Sequence, residues 1–282
     1  MTTISAKIVE TSKAPNGKVI TTFVLKYPRF VHGELMTHRV FSRNAKSSRA
    51  VPVKKVLAQV WSDPAMPVEW GANQAGMQAH SQLTGWRLKL AKAVWKEAAK
   101  VACMFAWVFM KIGLAKQVAN RILEPWQEMV TIVTATEWDN FYELRDHKDA
   151  QPEFRELARA MRAEVELTPI KSLGLGEWHL PFITSYELFT SSLHDLVRMS
   201  AARCARVSYL THEGKTPDRA KDLELFDKLV GSKPTHSSPV EHQATPMDDP
   251  NGRSNNFRGW KQYREILDFS RKTAGRVSYG QR

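Results

Sequence analysis

The sequence predicts a chain of the α+β class. Two β-rich segments joined by a tight-turn signal open it, a third β-rich segment stands near its middle, and most of the rest carries helical periodicity. "AKIVETS" and "KVITTFVLKY" read as the arms of a hairpin, with "PNG" at Pro15–Gly17 as its turn. The chain then enters a loop or helix. Residues 56–80, with Pro64, Pro67 and Gly71, are expected to be irregular. A helical tract is predicted from about Thr84 to Met110, broken near Gly113, and a second helix, "LAKQVANRIL", stops before Pro125. "MVTIV" is strand-like and precedes "TATEWDNFYELR". In "QPEFRELARAMRAEV", Phe154, Leu157, Ala158, Met161 and Val165 share one helical face, and Pro152 suits the first turn. Residues 171–186 read as an extended connection. Helices are expected over about Ser191–Arg206 and over "RAKDLELFDKLV", and the tail begins as a polar loop.

The chain has 282 residues, enough to bury a substantial core, and a formal charge of +12. That charge predicts affinity for polyanions or small anions and says nothing of fold. Two cysteines, Cys103 and Cys204, cannot build a disulfide framework or a zinc site alone, so a reducing, cytosolic setting is expected. The first ten residues lack a signal-peptide pattern. The longest apolar run, Val101–Met110 between Lys100 and Lys111, is too short to span a bilayer, and is expected in a core or subunit-interface helix.

From Thr37 to Lys55 there are six Lys or Arg, one His, three Ser and no acid. Arginine forks and serine hydroxyls are good phosphate ligands. The stretch has neither a GxxxxGK[ST] loop nor GxGxxG, so a solvated basic loop, a nucleic-acid contact and a small-phosphate site all stay open. His236, Glu241 and His242 lie close together without metalloprotease spacing, so structural roles are the default and no metal site is expected. Cys103 sits in the apolar run as packing. Cys204, between Arg203 and Arg206, could have a lowered pKa, but no His stands within several residues.

Several stretches resemble one family, the flavin-dependent thymidylate synthases. "THRVFSRNAKSSR" is similar to the family's RHR signature and its following Ser and Arg, aligning Thr37, His38, Arg39, Ser47 and Arg49. "FVLKYPRFVHGELMTHR" resembles the strand and helix before that signature. "LAKQVANRILEP" resembles a helix with a substrate-binding Arg, here Arg121, and "TATEWDNFYELRDHKDAQPEF" a segment that supplies the key Arg, here Arg145. "AARCARVSYLTHEG" and "KPTHSSPVEHQATP" resemble two segments that come first in the usual family order but last here. The order is that of a circular permutation, which is feasible where termini lie close together.

The resemblance implies a central antiparallel or mixed sheet flanked by helices. It implies one catalytic domain over 1–282, with a helical insertion at about 81–123 and a less matched tail at about 247–282. It implies FAD as cofactor, methylenetetrahydrofolate and NADPH as co-substrates, and reductive methylation of dUMP to dTMP without a cysteine nucleophile. It also implies a cytoplasmic homotetramer (in the host cell, if phage-encoded) with no stable nucleic-acid or membrane partner. Arg145 would be catalytic, stabilising the ionised pyrimidine. Glu34, Thr37, Ser47, Ser48, Arg49 and Arg121 would complete the substrate site. His38, Arg39, Asn44, Thr134, Thr136, Asn140, Ser208, His236, Ser238 and Glu241 would line the flavin. Three departures stand in the nucleotide half: Thr37 for Arg, Ala45 for an acid, and Glu34 where Gln is common. They leave open hydroxymethylation of dUMP or dCMP on the same fold, and a non-catalytic nucleotide-binding protein.

Overall fold

The computed structural model describes residues 4–76, 79–207, 218–233, 235–268 and 270. Its centre is a five-stranded mixed sheet. Strands β1 (Ser5–Lys13) and β2 (Val19–Pro28) form the expected hairpin, closed by Gly17 at φ +86°, a conformation glycine adopts without steric cost. Strands β3 (Ser42–Ala45), β4 (Glu128–Ala135) and β5 (Lys171–Ser172) complete the order β3-β4-β2-β1-β5. Every pairing is antiparallel except that of β1 with β5.

Among the described residues the helices bounded at both ends are, in chain order, α1 (His32–Leu35), α2 (Val53–Ser62), α3 (Gly85–Lys111), α4 (Lys116–Ala119), α5 (Asp139–Arg145), α6 (Pro152–Leu167), α7 (Ser185–Thr190), α8 (Leu193–Arg206) and α9 (Arg219–Val230), and residues 263–268 are helical as well. One face of the sheet carries Phe23, Leu25, Tyr27, Met129 and Val133, and buries them against Phe154, Leu157, Ala158 and Met161 of α6. These α6 residues follow the i, i+3, i+4, i+7 spacing of an amphipathic helix. On the other face Ile132 packs with Cys204 and Val207 at the end of α8. The sheet is therefore the middle layer between α5–α6 and the segments around His179, the end of α8 and His242. Among the described residues no helix is long and apolar enough to cross a membrane.

Four sequence expectations need correction. Residues 56–62 are helical, as part of α2, because Val53, Val56 and Val60 form a buried stripe whose Val56 and Val60 pack against α3. The second helix after Gly113 is only the four residues of α4, followed by a 3-10 segment, Asn120–Trp126, that runs through Pro125. Val165 is 44% exposed, since the last turns of α6 run past the core. The connection expected to be extended over 171–186 ends in a short helix, α7, with a Thr184–Glu187 capping box, whereas the expected Ser191–Arg206 helix is present as α8, capped by Ser192. The run Val101–Met110 is helical as expected, but Val101, Met104, Phe105, Trp107 and Val108 remain exposed.

The tail is part of the core. Short strands β6 (Ala244–Pro246), β7 (Arg253–Ser254), β8 (Phe257–Arg258) and β9 (Trp260–Gln262) bury Phe257 and Trp260 against Ile20 of β2.

Candidate active site

The basic stretch of the sequence becomes one wall of a cleft of about 640 Å³. The end of β3 supplies Ala45 and Lys46, the following turn supplies Ser47, Ser48 and Arg49, and the α4 region supplies Gln117, Val118 and Arg121. Arg29, His32 and Met129 complete the lining. Four of these lining residues are cationic and none is acidic, so the cleft is built for an anion. The Ser47 hydroxyl accepts from the Arg49 backbone N–H at 3.2 Å, which shapes the turn. Asn120, fully buried, ties the α4 region to that turn by donating to the Ser48 and Val51 carbonyls at 2.9 and 3.0 Å. The side chain of Arg121 has no hydrogen-bond or ion-pair partner among the described residues. Four of the predicted nucleotide residues, Ser47, Ser48, Arg49 and Arg121, thus converge.

Arg145 ends α5 and lies in a second cluster. Its Nη1 donates to Glu34 Oε2 at 2.7 Å, its Nε to His38 Nε2 at 3.0 Å and its Nη2 to Thr37 Oγ1 at 3.4 Å, and the guanidinium covers the Phe154 ring at 5.2 Å. Thr37 in turn donates to the Glu34 carbonyl at 2.7 Å. His38 is buried between Phe41 and Phe141. Burial first, then Arg145 and Arg43, lower its pKa to about 4. It is therefore neutral near pH 7, with Nε2 as acceptor and the proton on Nδ1. Helix α1 joins the two clusters: it carries His32 on the cleft and Glu34 on Arg145.

The residues assigned to a flavin are more scattered. Arg39, Asn140 and His236 are exposed, and the His236 backbone N–H donates to Leu229 at 2.9 Å. Asn44 on β3 is buried, with its Nδ2 lacking a partner. Ser238 begins the 3-10 turn Ser238–Glu241, which packs beside β3. Glu241 is ion-paired with Arg264, and burial raises its pKa. Thr136 accepts from the Arg258 backbone N–H at 2.9 Å. Thr134 has no accessible surface. Its hydroxyl is hydrogen-bonded to Thr22 at 2.7 Å and to His242 Nδ1 at 2.8 Å, so it is structural and cannot reach a ligand. Ser208 lies outside the described residues. The set thus fits a flavin in part: Arg39, Asn44, Asn140, His236 and Ser238 keep polar groups free for one, and Thr134 does not.

Both cysteines are free and buried, and burial pushes both thiols up. The lowering that Arg203 and Arg206 could have caused at Cys204 is outweighed by burial, and both arginines are turned to Asp222. Among the described residues no three His, Cys, Asp or Glu side chains cluster as for a metal.

Sequence reasoning missed Arg29, His32 and Gln117 of the cleft, and Gln262 and Arg264 of the tail. Lys46 stood in the basic stretch but received no role. Gln262 donates to Ser42 at 3.1 Å and to the Glu241 carbonyl at 3.0 Å, holding the Ser238–Glu241 turn against β3. A signal existed for Lys46, in the acid-free run. None marked Gln262 or Arg264, which only the tail's return to β3 makes relevant.

The crystal structure of a UMP/dUMP methylase, PolB from Streptomyces cacaoi, bound with 5-Br UMP is similar at a TM-score of 0.50 and 17% identity, covering 59% of this chain and 90% of that one. The same methylase bound with 5-Br dUMP gives a TM-score of 0.49 and 16% identity, covering 59% and 91%. No curated protein matches the chain. A family profile described as thymidylate synthase complementing protein matches residues 12–168, which is more than half of the sequence and holds both the cleft and the Arg145 cluster. The chain belongs to the thymidylate synthase complementing protein family.

Proposed function

We propose that this protein is a FAD-dependent thymidylate synthase that reductively methylates dUMP to dTMP with methylenetetrahydrofolate and NADPH, without a cysteine nucleophile. The observation that carries the reading is the acid-free cleft in which Ser47, Ser48, Arg49 and Arg121 converge, one short helix away from Arg145. Arg49, Arg121 and the two serines would bind the 5′-phosphate with charge-assisted hydrogen bonds. Arg145 would stabilise negative charge developing on the pyrimidine. It would do so by exchanging part of its contact with Glu34, whose carboxylate is 37% exposed and can turn to solvent. Neutral His38 would hold the Arg145 Nε, leaving the other edge of the guanidinium for the base. Arg39, Asn44, Asn140, His236 and Ser238 would hold the flavin, which when bound supplies reducing equivalents. Burial of Cys103 and Cys204 supports a route that uses neither thiol.

Three further points belong to this reading. The chain is a circular permutation of the family order, supported by the packing of Ser238–Glu241 on β3 and of His242 on β4. It works in the cytoplasm as a homotetramer, and the exposed apolar face of α3 offers surface for association. Arg145 paired with Glu34 presents a donor and an acceptor side by side, which suits cytosine as well as uracil. Hydroxymethylation of dUMP or dCMP is therefore the second reading.

Purified protein supplied with FAD should show the absorbance band of bound oxidised flavin and form dTMP from dUMP, methylenetetrahydrofolate and NADPH. A hydroxymethylated product would establish the second reading. Protein that takes up no FAD in equilibrium dialysis and alters neither nucleotide would refute both.

A further inference from the structure

Helix α3 has two apolar faces, and the chain covers one of them. Ala99, Ala102, Cys103 and Ala106 are buried in a cluster with Val56, Val60 and Leu123. On the other side Leu90, Val94, Glu97, Val101, Met104 and Val108 recur at spacings of four and three, the 3.5-residue period of a coiled-coil seam. The five apolar members of that seam are 46–62% exposed. The helix has 27 residues, so it is about 40 Å long.

The charges of α3 set the direction in which such a seam can pair with itself. Arg87, Lys89, Lys92 and Lys96 lie in its first half, Glu97 is its single acid, and Val101–Met110 carries no charge. Two copies running the same way would set one basic half beside the other at about 8–10 Å, where salt screens incompletely. Running oppositely, each basic half meets the uncharged half of the other copy, and the helix dipoles oppose. The seam also matches itself in that direction. Leu90 and Val108 stand nine residues either side of Ala99, Val94 and Met104 five, and Glu97 and Val101 two. An apolar groove of about 520 Å³ between α2 and α3, with Trp61, Met104, Trp107 and Val108 in its lining, lies where the second copy's Leu90 and Val94 would arrive. Glu97 and Lys100 are paired at 2.7 Å, both exposed, and would stand beside the two-fold axis. Each Glu97 would then have a lysine on either helix, so the one acid of the seam is not stranded and fixes the register.

We infer that α3 pairs antiparallel with α3 of a second copy of this chain, centred at the level of Ala99. The inference deepens the homotetramer reading given above, on which it rests, by naming the contact and its direction. No residue of α3 lines the nucleotide cleft, so the contact is separate from the site.

The double variant Val94→Cys/Met104→Cys, oxidised and mapped by peptide mass spectrometry, tests the direction. Within one helix these positions are about 15 Å apart, too far for a disulfide, and both native cysteines are buried. A bond between positions 94 and 104 therefore joins two copies running oppositely, and is the expected result. A bond between two copies of position 94 would show parallel pairing and overturn the inference. Light scattering tests the contact itself: Val94→Glu/Met104→Glu should halve the molar mass from that of a tetramer, with helicity by circular dichroism unchanged because both side chains are exposed in the single chain. A wild-type tetramer with no bond between 94 and 104, or a glutamate variant that stays tetrameric, overturns this inference and leaves the homotetramer standing. A wild-type monomer overturns both, and its cosedimentation with phosphatidylglycerol vesicles would assign the face to a lipid surface.

Discussion

Replacing Arg145 by Ala should slow turnover far more than it weakens the fold. The pair with Glu34 is partly exposed, 18% and 37% by side chain, and is worth at most about 1 kcal/mol. The hydrogen bond to His38 adds about 1 kcal/mol, and the cation over Phe154 about 0.5–1 kcal/mol. The stability loss should therefore be about 1–3 kcal/mol, with no stranded charge because Glu34 can reach water. The rate effect comes from a different term. A preorganised donor aimed at developing charge contributes about 10²–10³ in kcat. A side effect supplies an internal check: Arg145 is one cause of the lowered His38 pKa, so that pKa should rise from about 4 toward its ordinary value in the variant. Steady-state kinetics at saturating FAD, urea unfolding and an NMR titration of His38 measure the three quantities. A variant with wild-type kcat, or one whose lost activity equals its unfolded fraction, would refute the role given to Arg145.

Arg121→Ala should chiefly raise the nucleotide KM, by about tenfold to a hundredfold for a charged hydrogen bond of about 1.5–3 kcal/mol, with little change in urea stability. Equal affinity in wild type and variant would remove Arg121 from the phosphate site. Replacing Cys103 and Cys204 together by Ala should leave kcat within about tenfold, or about 1.4 kcal/mol in barrier. A fall by several orders of magnitude in folded protein would restore a thiol mechanism. Acid should destabilise the fold through His38, His179 and His242, whose pKa values burial lowers to about 4, 3 and 3. The unfolded chain binds these protons below about pH 6.5 and the folded chain does not, so stability is complete above that pH and falls as pH drops toward 4. Three such protons correspond to a slope of about 4 kcal/mol per pH unit near pH 5. The raised carboxyl pKa values of Glu10 and Glu241 act in the opposite sense and reduce it. Unfolding midpoints in urea that are unchanged between pH 7 and pH 5 would contradict the burial of these rings.

The parts of the fold that were legible carry their signal in consecutive residues. The hairpin has its turn at Pro15–Gly17 and its alternation in β2, and α6 has its stripe from Phe154 to Met161. Helix α2 was legible too, with Val53, Val56 and Val60 at helical spacing, but the prolines that follow hid it. The short strands of the tail were not, because Trp260 and Phe257 are strand residues only through Ile20 and the edge contacts around them. The cleft divides in the same way. Its serine–arginine turn is continuous in sequence, whereas Arg29 and His32 belong to it only because the Arg29–Val31 turn packs on the 3-10 segment Asn120–Trp126.

Thr134 shows why a motif residue can be carried to the wrong role. Along β4, Met129, Val133 and Ala135 point toward α6, so the pleat sends Ile132 and Thr134 to the opposite face. On a sheet open to a ligand on that face, a threonine would be a plausible cofactor contact. Here the face is covered by the chain itself. A line of buried polar groups crosses it, from Ser12 through His179 and Thr22 to Thr134 and His242, with each link between 2.7 and 2.9 Å. Every member of that line but one of its ends uses its hydrogen-bonding capacity within the protein; the His242 Nε2 alone is without a partner. A buried polar chain is tolerated only when its members satisfy one another, so it fixes which part of the late sequence sits on β2 and β4. The residues around His179 and His242 are thereby seated on strands more than a hundred residues earlier in the chain, whatever order the segments take along it.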